Sequence, residues 1–209
     1  MSLLEKGLRQ AGRPRGWLGR SIIRGMNSGH YSLTSWGLRL VDIARDLDVL
    51  DIGCGGGATV RRLAGMVTEG RVVGIDYSPD SVAVARKTNR ALISEGRVEI
   101  LVGDVSSMSF GDGTFDLVTA IETHYFWPDL PSDLREVHRV TNPGGRLLVV
   151  GALYKDGTHE RRNQRIVAAS GMTYQSIAEL RELLEGAGWS DIEAREYADE
   201  GWFAMSARA

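Results

Sequence analysis

One cysteine in 209 residues, Cys54, excludes an internal disulfide and any multi-cysteine metal site. No cluster of histidine, cysteine and carboxylate residues has metal-ligand spacing, so no metal is expected. No apolar run approaches the ~20 residues that a membrane-spanning helix needs. The amino terminus also lacks the unbroken apolar core of a secretory leader, so a reducing cytoplasm without membrane insertion is the expected setting. Internal repeats and low-complexity segments are missing as well, which removes solenoids from consideration. The net charge of −2 is small but uneven. Lys6, Arg9, Arg13, Arg15, Arg20 and Arg24 face only Glu5 in residues 1–24, leaving the rest acidic. An acidic body argues against a nucleic-acid-binding face on the main domain, and the basic arm reads as a solvated terminus.

What is present suits one domain: 43% of the residues are hydrophobic, and the chain is too short for a second full core. The expected division is a basic arm and cap segment over residues 1–46 and a single folded domain over 47–209. Residues 26–38 read as a turn-rich segment leading into a helix with Leu40, Val41 and Ala44 inward. Strands are predicted at 49–52, 72–76, 98–102, 115–121 and 146–153, alternating with helices at 58–66, 78–95 and around Leu134, Val137 and Val140, the last ending at the Asn142-Pro143-Gly144-Gly145 stop. Ser78-Pro79-Asp80 offers a cap, a proline at the first helical position and a first-turn acid. A further helix opens on the capping box Ser176 with Glu179. The last two strand-like runs, 192–197 and 202–207, are too close for a crossover and must pair antiparallel. The pattern is that of a doubly wound α/β fold, a mostly parallel seven-stranded sheet whose last strand is antiparallel. Ligands in such sheets bind beyond the carboxyl ends of the strands.

The centre of the pattern is Val-Leu-Asp-Ile-Gly-Cys-Gly-Gly-Gly at 49–57, a buried strand running through a glycine loop into a helix. Such a loop brings a ligand close to backbone N–H groups. Residues 53–58 satisfy the G-x-G-x-x-[GA] pattern of dinucleotide enzymes, with Asp76 roughly 20 residues on as a ribose-binding acid. Asp51, two positions before the first glycine, would repel a pyrophosphate and attract an ammonium or sulfonium group. That favours a cationic, phosphate-free nucleoside.

With Val-Gly-Ile-Asp-Tyr-Ser at 73–78, Gly-Asp-Val at 103–105, Phe-Asp-Leu-Val at 115–118 and Arg-Val-Thr-Asn-Pro-Gly-Gly at 139–145, the chain resembles the class I S-adenosylmethionine-dependent methyltransferases, most closely their small-molecule branch. The resemblance covers residues 47–208. It implies that Asp51 binds the methionine amino end through water, that Gly53 and Gly55 let the backbone pass beneath the cofactor, and that Asp76 accepts from both ribose hydroxyls. Tyr77 would lie against the adenine, Asp104 would accept from its amino group, the Val105 amide would donate to the ring, and Ile121 would offer its backbone to the methionine end. The expected cofactor is S-adenosylmethionine.

On the acceptor side, four rings follow the fourth strand, His124-Tyr125-Phe126-Trp127, and no Asn/Asp-Pro-Pro-Tyr-like sequence of amine- and amide-methylating relatives is present. A small organic acceptor is expected. His124 is the first candidate base, because its ordinary pKa lies near neutrality. Tyr31, beside His30 and Trp36, is the candidate for closing the catalytic end of the pocket. Residues 154–172, with His159, Arg161, Arg162 and Arg165, are expected as the other wall, and His138 as a structural residue. Three alternatives stay open: an NAD-dependent oxidoreductase, a cofactor-binding protein without turnover, and an RNA or protein methyltransferase. The acceptor, the methylated atom and homo-oligomer formation are not specified by these residues.

Overall fold

The computed structural model describes residues 30–155, 157–170 and 172–209. The basic arm lies outside the described residues. The elements are α1 (Tyr31–Leu38), β1 (Asp48–Ile52), α2 (Ala58–Met66), β2 (Arg71–Asp76), α3 (Pro79–Thr88), α4 (Arg90–Ser94) and β3 (Val98–Val102). After these come β4 (Phe115–Ile121), a 3-10 turn (His124–Phe126), α5 (Leu130–Val140), β5 (Thr141–Gly151), α6 (Glu160–Ser170), α7 (Ile177–Gly186), β6 (Ser190–Tyr197) and β7 (Trp202–Arg208). The strands form one seven-stranded sheet in the order β3-β2-β1-β4-β5-β7-β6. β7 runs antiparallel to both of its neighbours, β5 and β6, and the remaining strand pairs are parallel. The doubly wound sheet with an antiparallel last strand is therefore the fold found.

Successive strand residues face opposite sides of the sheet, and the core divides accordingly. Leu50 and Ile52 of β1 join Leu134 and Val137 of α5 and Leu180 and Leu184 of α7 on one face. Val49 joins Val60 and Leu63 of α2, Val82 of α3 and Leu33 of α1 on the other. Each such large aliphatic side chain contributes roughly 1.5–3 kcal/mol by leaving water. β1 and β4 lie side by side near the middle, and their shared carboxyl edge opens where the strand order reverses.

Three boundaries differ from the sequence expectation. The helix expected around Leu40 and Ala44 instead occupies residues 31–38. Leu33, Leu38 and Val41 are all buried in one cluster, and the chain reaches it by leaving the helix after Leu38. The continuous helix expected over 78–95 is broken between α3 and α4 at Asn89, whose buried amide donates to the carbonyls of Ala85 (2.9 Å) and Gly57 (3.0 Å). A side chain that bonds backbone groups competes with helical geometry, and here it ties the second helix to the glycine loop. Finally, β5 begins at Thr141 rather than 146 and ends at Gly151 rather than 153, its register against β4 shifting between Phe115 and Leu117. Asn142 to Gly145 forms an irregular entry to the strand, with the Asn142 amide on the Asp116 carboxylate (2.8 Å).

Candidate active site

The carboxyl ends of β1, β2 and β4 surround a cavity of about 600 Å³, and a second cavity of about 210 Å³ adjoins it toward β3. Gly53, Asp76, Tyr77, Thr123 and Phe126 border both, so the two form one bent recess. Its floor is the glycine loop. Gly53 and Gly57 have φ of 69° and 77°, in the left-handed region that suits glycine. A Cβ on Gly53 would strike Thr123, and one on Gly57 would strike Asn89 and the Ala85 backbone. The loop is pinned from below by Cys54 N–H donating to the Ile75 carbonyl (2.9 Å).

The carboxylates at the strand ends have distinct settings. Asp76 accepts from the Gly55 N–H at Oδ2 and from the Ser78 N–H at Oδ1, each at 2.9 Å. The Ser81 side chain also hydrogen-bonds this carboxylate; with about four lone-pair sites, the group keeps acceptor capacity for a ligand hydroxyl. Burial raises the Asp76 pKa, and these hydrogen bonds oppose the rise. Asp51 lies deeper, 2% exposed, behind the loop. Its Oδ1 accepts from the Thr119 hydroxyl (2.7 Å), while its buried Oδ2 has no hydrogen-bond partner among the described residues. Burial pushes its pKa up to about 7; the Thr119 hydrogen bond opposes this, and the nearby Asp76 charge adds to it. Asp104 is exposed and accepts from the Ser106 N–H (3.0 Å), at the rim of the smaller cavity with Val105. Ile75, Tyr77, Val105 and Trp127 give that cavity the apolar walls that suit a flat ring system.

Of the residues singled out in the sequence, Gly53, Gly55, Asp76, Tyr77 and Ile121 line the larger cavity, and Asp104 and Val105 the smaller. Asp51 sits beneath the loop rather than on the wall. Tyr31 stands at the mouth, 65% exposed, with the Arg62 guanidinium 3.9 Å above its ring. Arg62 also donates to the Ser35 hydroxyl (2.6 Å) and the Tyr31 carbonyl (3.2 Å), fastening α1 to α2.

Two expectations are corrected. His124 does not face the reaction centre: the 3-10 turn directs its ring into the core against Tyr125 (4.0 Å between centroids) and Phe203 (5.7 Å). It is 2% exposed, and burial drives its pKa down to about 3, so it is a neutral packing residue. Nor do the described residues of 154–172 form a wall: none of them lines either cavity. Instead Ile166 of α6 packs on the cluster of Tyr125, Leu153 and Met172 behind the turn. His138 packs edge-on against Trp189 (5.0 Å) in a structural setting. Among the described residues no group of three His, Cys, Asp or Glu side chains could hold a metal ion, and no helix is long and apolar enough to cross a membrane.

Sequence reasoning missed Glu122. It follows β4 directly, lines the larger cavity and has φ of 58°, a left-handed conformation that is uncommon for a residue with a side chain. Its Oε1 accepts from the Tyr125 hydroxyl (2.9 Å) and the Ala152 N–H (2.5 Å). The signal was available, since an acid at a strand end is the feature that marked Asp76 and Asp104.

Residues 49–145 match the profile of a family described as a methyltransferase domain. An O-methyltransferase of Penicillium expansum is 31% identical over 152 residues, which span 71% of this chain and 54% of that one. A demethylmenaquinone methyltransferase of Bacillus cereus is 36% identical over 112 residues, 53% of this chain and 47% of that one. This chain thus spans about half the length of the curated relatives it matches. Among solved structures, a chain from the complex of the Haloferax volcanii Trm112 methyltransferase activator with a methyltransferase superposes with a TM-score of 0.81 at 25% identity, covering 92% of this chain and 96% of that one. The sheet order, the glycine loop with its three strand-end acids, and these likenesses agree: the chain belongs to the class I S-adenosylmethionine-dependent methyltransferases.

Proposed function

We propose that this chain transfers a methyl group from S-adenosylmethionine to a small-molecule acceptor. The observation that carries the cofactor assignment is the Asp51 carboxyl, buried behind the glycine loop with Oδ2 unpartnered among the described residues. A buried acid in that state calls for a cation and disfavours a pyrophosphate, which speaks against the NAD-dependent oxidoreductase. The residues present fit S-adenosylmethionine: Asp51 toward the ammonium, Gly53 and Gly55 beneath the chain of the amino acid, Ile121 at its backbone, Asp76 on the ribose hydroxyls, and Tyr77, Asp104 and Val105 around the adenine. When bound, the cofactor supplies a methyl group on a positively charged sulfur. Methyl transfer is an in-line displacement, so the walls contribute by alignment and by excluding water.

The acceptor end of the larger cavity, bounded by His30, Tyr31, Thr34, Glu122 and Phe126, is a walled recess sized for a small organic molecule. The O-methyltransferase and menaquinone-pathway relatives support a small acceptor. In this division residues 1–46 are the arm and cap, and 47–209 the catalytic domain. Calorimetry on the purified chain tests the proposal. S-adenosylhomocysteine is expected to bind with micromolar or tighter affinity and NAD(H) not to bind; tight NAD(H) binding without S-adenosylhomocysteine binding would overturn it.

A further inference from the structure

The larger cavity contains one acid that no cofactor role absorbs. Glu122 is fixed by its strained backbone, by the Tyr125 hydroxyl and by the Ala152 N–H, with its side chain only 14% exposed. Holding a residue with a side chain in the left-handed region is costly, and such conformations persist where the surroundings over-determine them. Both hydrogen bonds fall on Oε1. The other oxygen, Oε2, stands 4.0 Å from Nε2 of His30, which borders the same cavity from the segment just before α1. Thr123 and Phe126 complete this end of the recess.

We propose that His30 is the proton acceptor of methyl transfer, that Glu122 positions it, and that the acceptor is therefore a hydroxyl compound. The inference rests on the methyltransferase function proposed above. A carboxylate beside one imidazole nitrogen holds the proton there and leaves the other nitrogen basic, the logic of a base oriented by an acid. The gap of 4.0 Å exceeds hydrogen-bond length; such catalytic contacts are commonly long in an unliganded site and tighten once substrate is bound. As the acceptor oxygen forms its bond to the methyl carbon, the carbon–sulfur bond breaks with its electron pair left on sulfur, and the hydroxyl proton passes to His30. The positive charge thus moves from sulfur to an imidazolium beside Glu122.

The choice of hydroxyl over amine follows from the other charges on the cavity. A neutral alcohol or phenol must lose its proton during the transfer and needs a base at hand. An aliphatic amine enters mostly as an ammonium, which Arg61 and Arg62 on the same wall disfavour where Asp76 is engaged by the ribose and Glu122 by His30, while a neutral arylamine attacks through its lone pair and needs no base before the transfer. Phe126, Ile121 and the Tyr31 ring offer the body of the acceptor an apolar surface.

The test uses the full chain, radiolabelled S-adenosylmethionine and three matched probe pairs: 2-naphthol with 2-naphthylamine, catechol with 1,2-diaminobenzene, and cyclohexanol with cyclohexylamine. Calorimetric binding of S-adenosylhomocysteine comes first, because its absence would refute the parent function rather than this inference. In a protein that binds it, at least one hydroxyl probe is expected to turn over ten or more times faster than its amine partner. His30→Asn is expected to lower kcat on that probe about 100-fold and Glu122→Gln about 30-fold, within the range general-base catalysis supplies. Both variants should keep the KM of the probe, its calorimetric affinity for the S-adenosylhomocysteine-loaded protein, and the Kd of S-adenosylhomocysteine within threefold. In Glu122→Gln the new amide carbonyl can still accept from Tyr125 and Ala152, so a merely structural Glu122 would leave that variant at the wild-type rate. Preference for the amines, a wild-type rate in either variant, or no hydroxyl turnover by a protein that binds S-adenosylhomocysteine overturns the inference.

Discussion

The two ends of the recess are built by different means. At the cofactor end, Asp51, Asp76, Asp104 and the glycines of residues 53–57 stand in or just beyond the ends of adjacent parallel strands: Asp76 binds Ser78 two residues on and Gly55 of the neighbouring loop, Asp51 binds Thr119 of β4, and Asp104 binds Ser106 two residues on. At the acceptor end the walls come from α1, from the segment before it and from the residues after β4, more than 80 positions apart in sequence. On the function proposed above, the sheet edge prescribes where a nucleoside-like cofactor lies, while the acceptor pocket depends on how distant segments meet.

The sharpest way to test that contrast is Asp76→Ala. It orphans the Gly55 and Ser78 N–H groups and, on the role proposed for Asp76, removes the charge-assisted acceptors of the ribose hydroxyls. At about 1.5–3 kcal/mol per charged hydrogen bond, a rise of 100-fold or more in the Kd of S-adenosylhomocysteine is expected by calorimetry. An unchanged Kd would show that the strand-end acids do not hold the cofactor.

Asp51 gives a second, pH-dependent contrast. Its pKa is raised to about 7 in the fold, so between the ordinary carboxyl range and pH 7 the folded chain holds a proton that the unfolded chain has released. Stability of the unliganded protein from this group is consequently highest at low pH within that window and falls as pH rises toward 7. Cofactor binding has the opposite sign, because the ammonium needs the ionised form. The Kd of S-adenosylhomocysteine should weaken as pH falls below 7, approaching tenfold per pH unit from this one proton. Asp51→Asn should flatten both dependences, with thermal melting and calorimetry from pH 5.5 to 8.5 as the measurements.

The smallest effect is expected from His124→Leu. A neutral ring in the core is replaced by an aliphatic side chain, and the orphaned Nδ1 is removed with it. Turnover and cofactor affinity are expected to stay within threefold of wild type, with stability shifted by about 1 kcal/mol or less. Loss of turnover at unchanged affinity would restore the sequence assignment of His124.

The legibility of the chain follows the same division. The strands and the residues that line the recess at their ends were readable because buried parallel strands are continuous apolar runs, and their ends are marked by Gly, Asp and Ser-Pro within a few positions. Asn89 was not readable as a helix break, since its reason is the Gly57 carbonyl, 32 residues earlier. His124 misled because the sequence places it in the right loop, while the phase of a single 3-10 turn decides which rings face in. Tyr125 went inward with it; Phe126 went to the cavity. The course of 157–170 depended on the apolar contact of Ile166 behind the turn, which the charged run concealed.

The Asn89 bridge also bears on modularity. One amide of α3 and α4 holds the carbonyl at the start of α2, and the Ala85 backbone closes the space beside Gly57. The glycine motif is therefore not a self-contained cassette. A chimera that imports residues 49–66 into a related scaffold without the matching 79–94 segment would carry every residue of the motif and still lack its cradle, so the smallest transplantable unit runs from residue 48 to the end of α4.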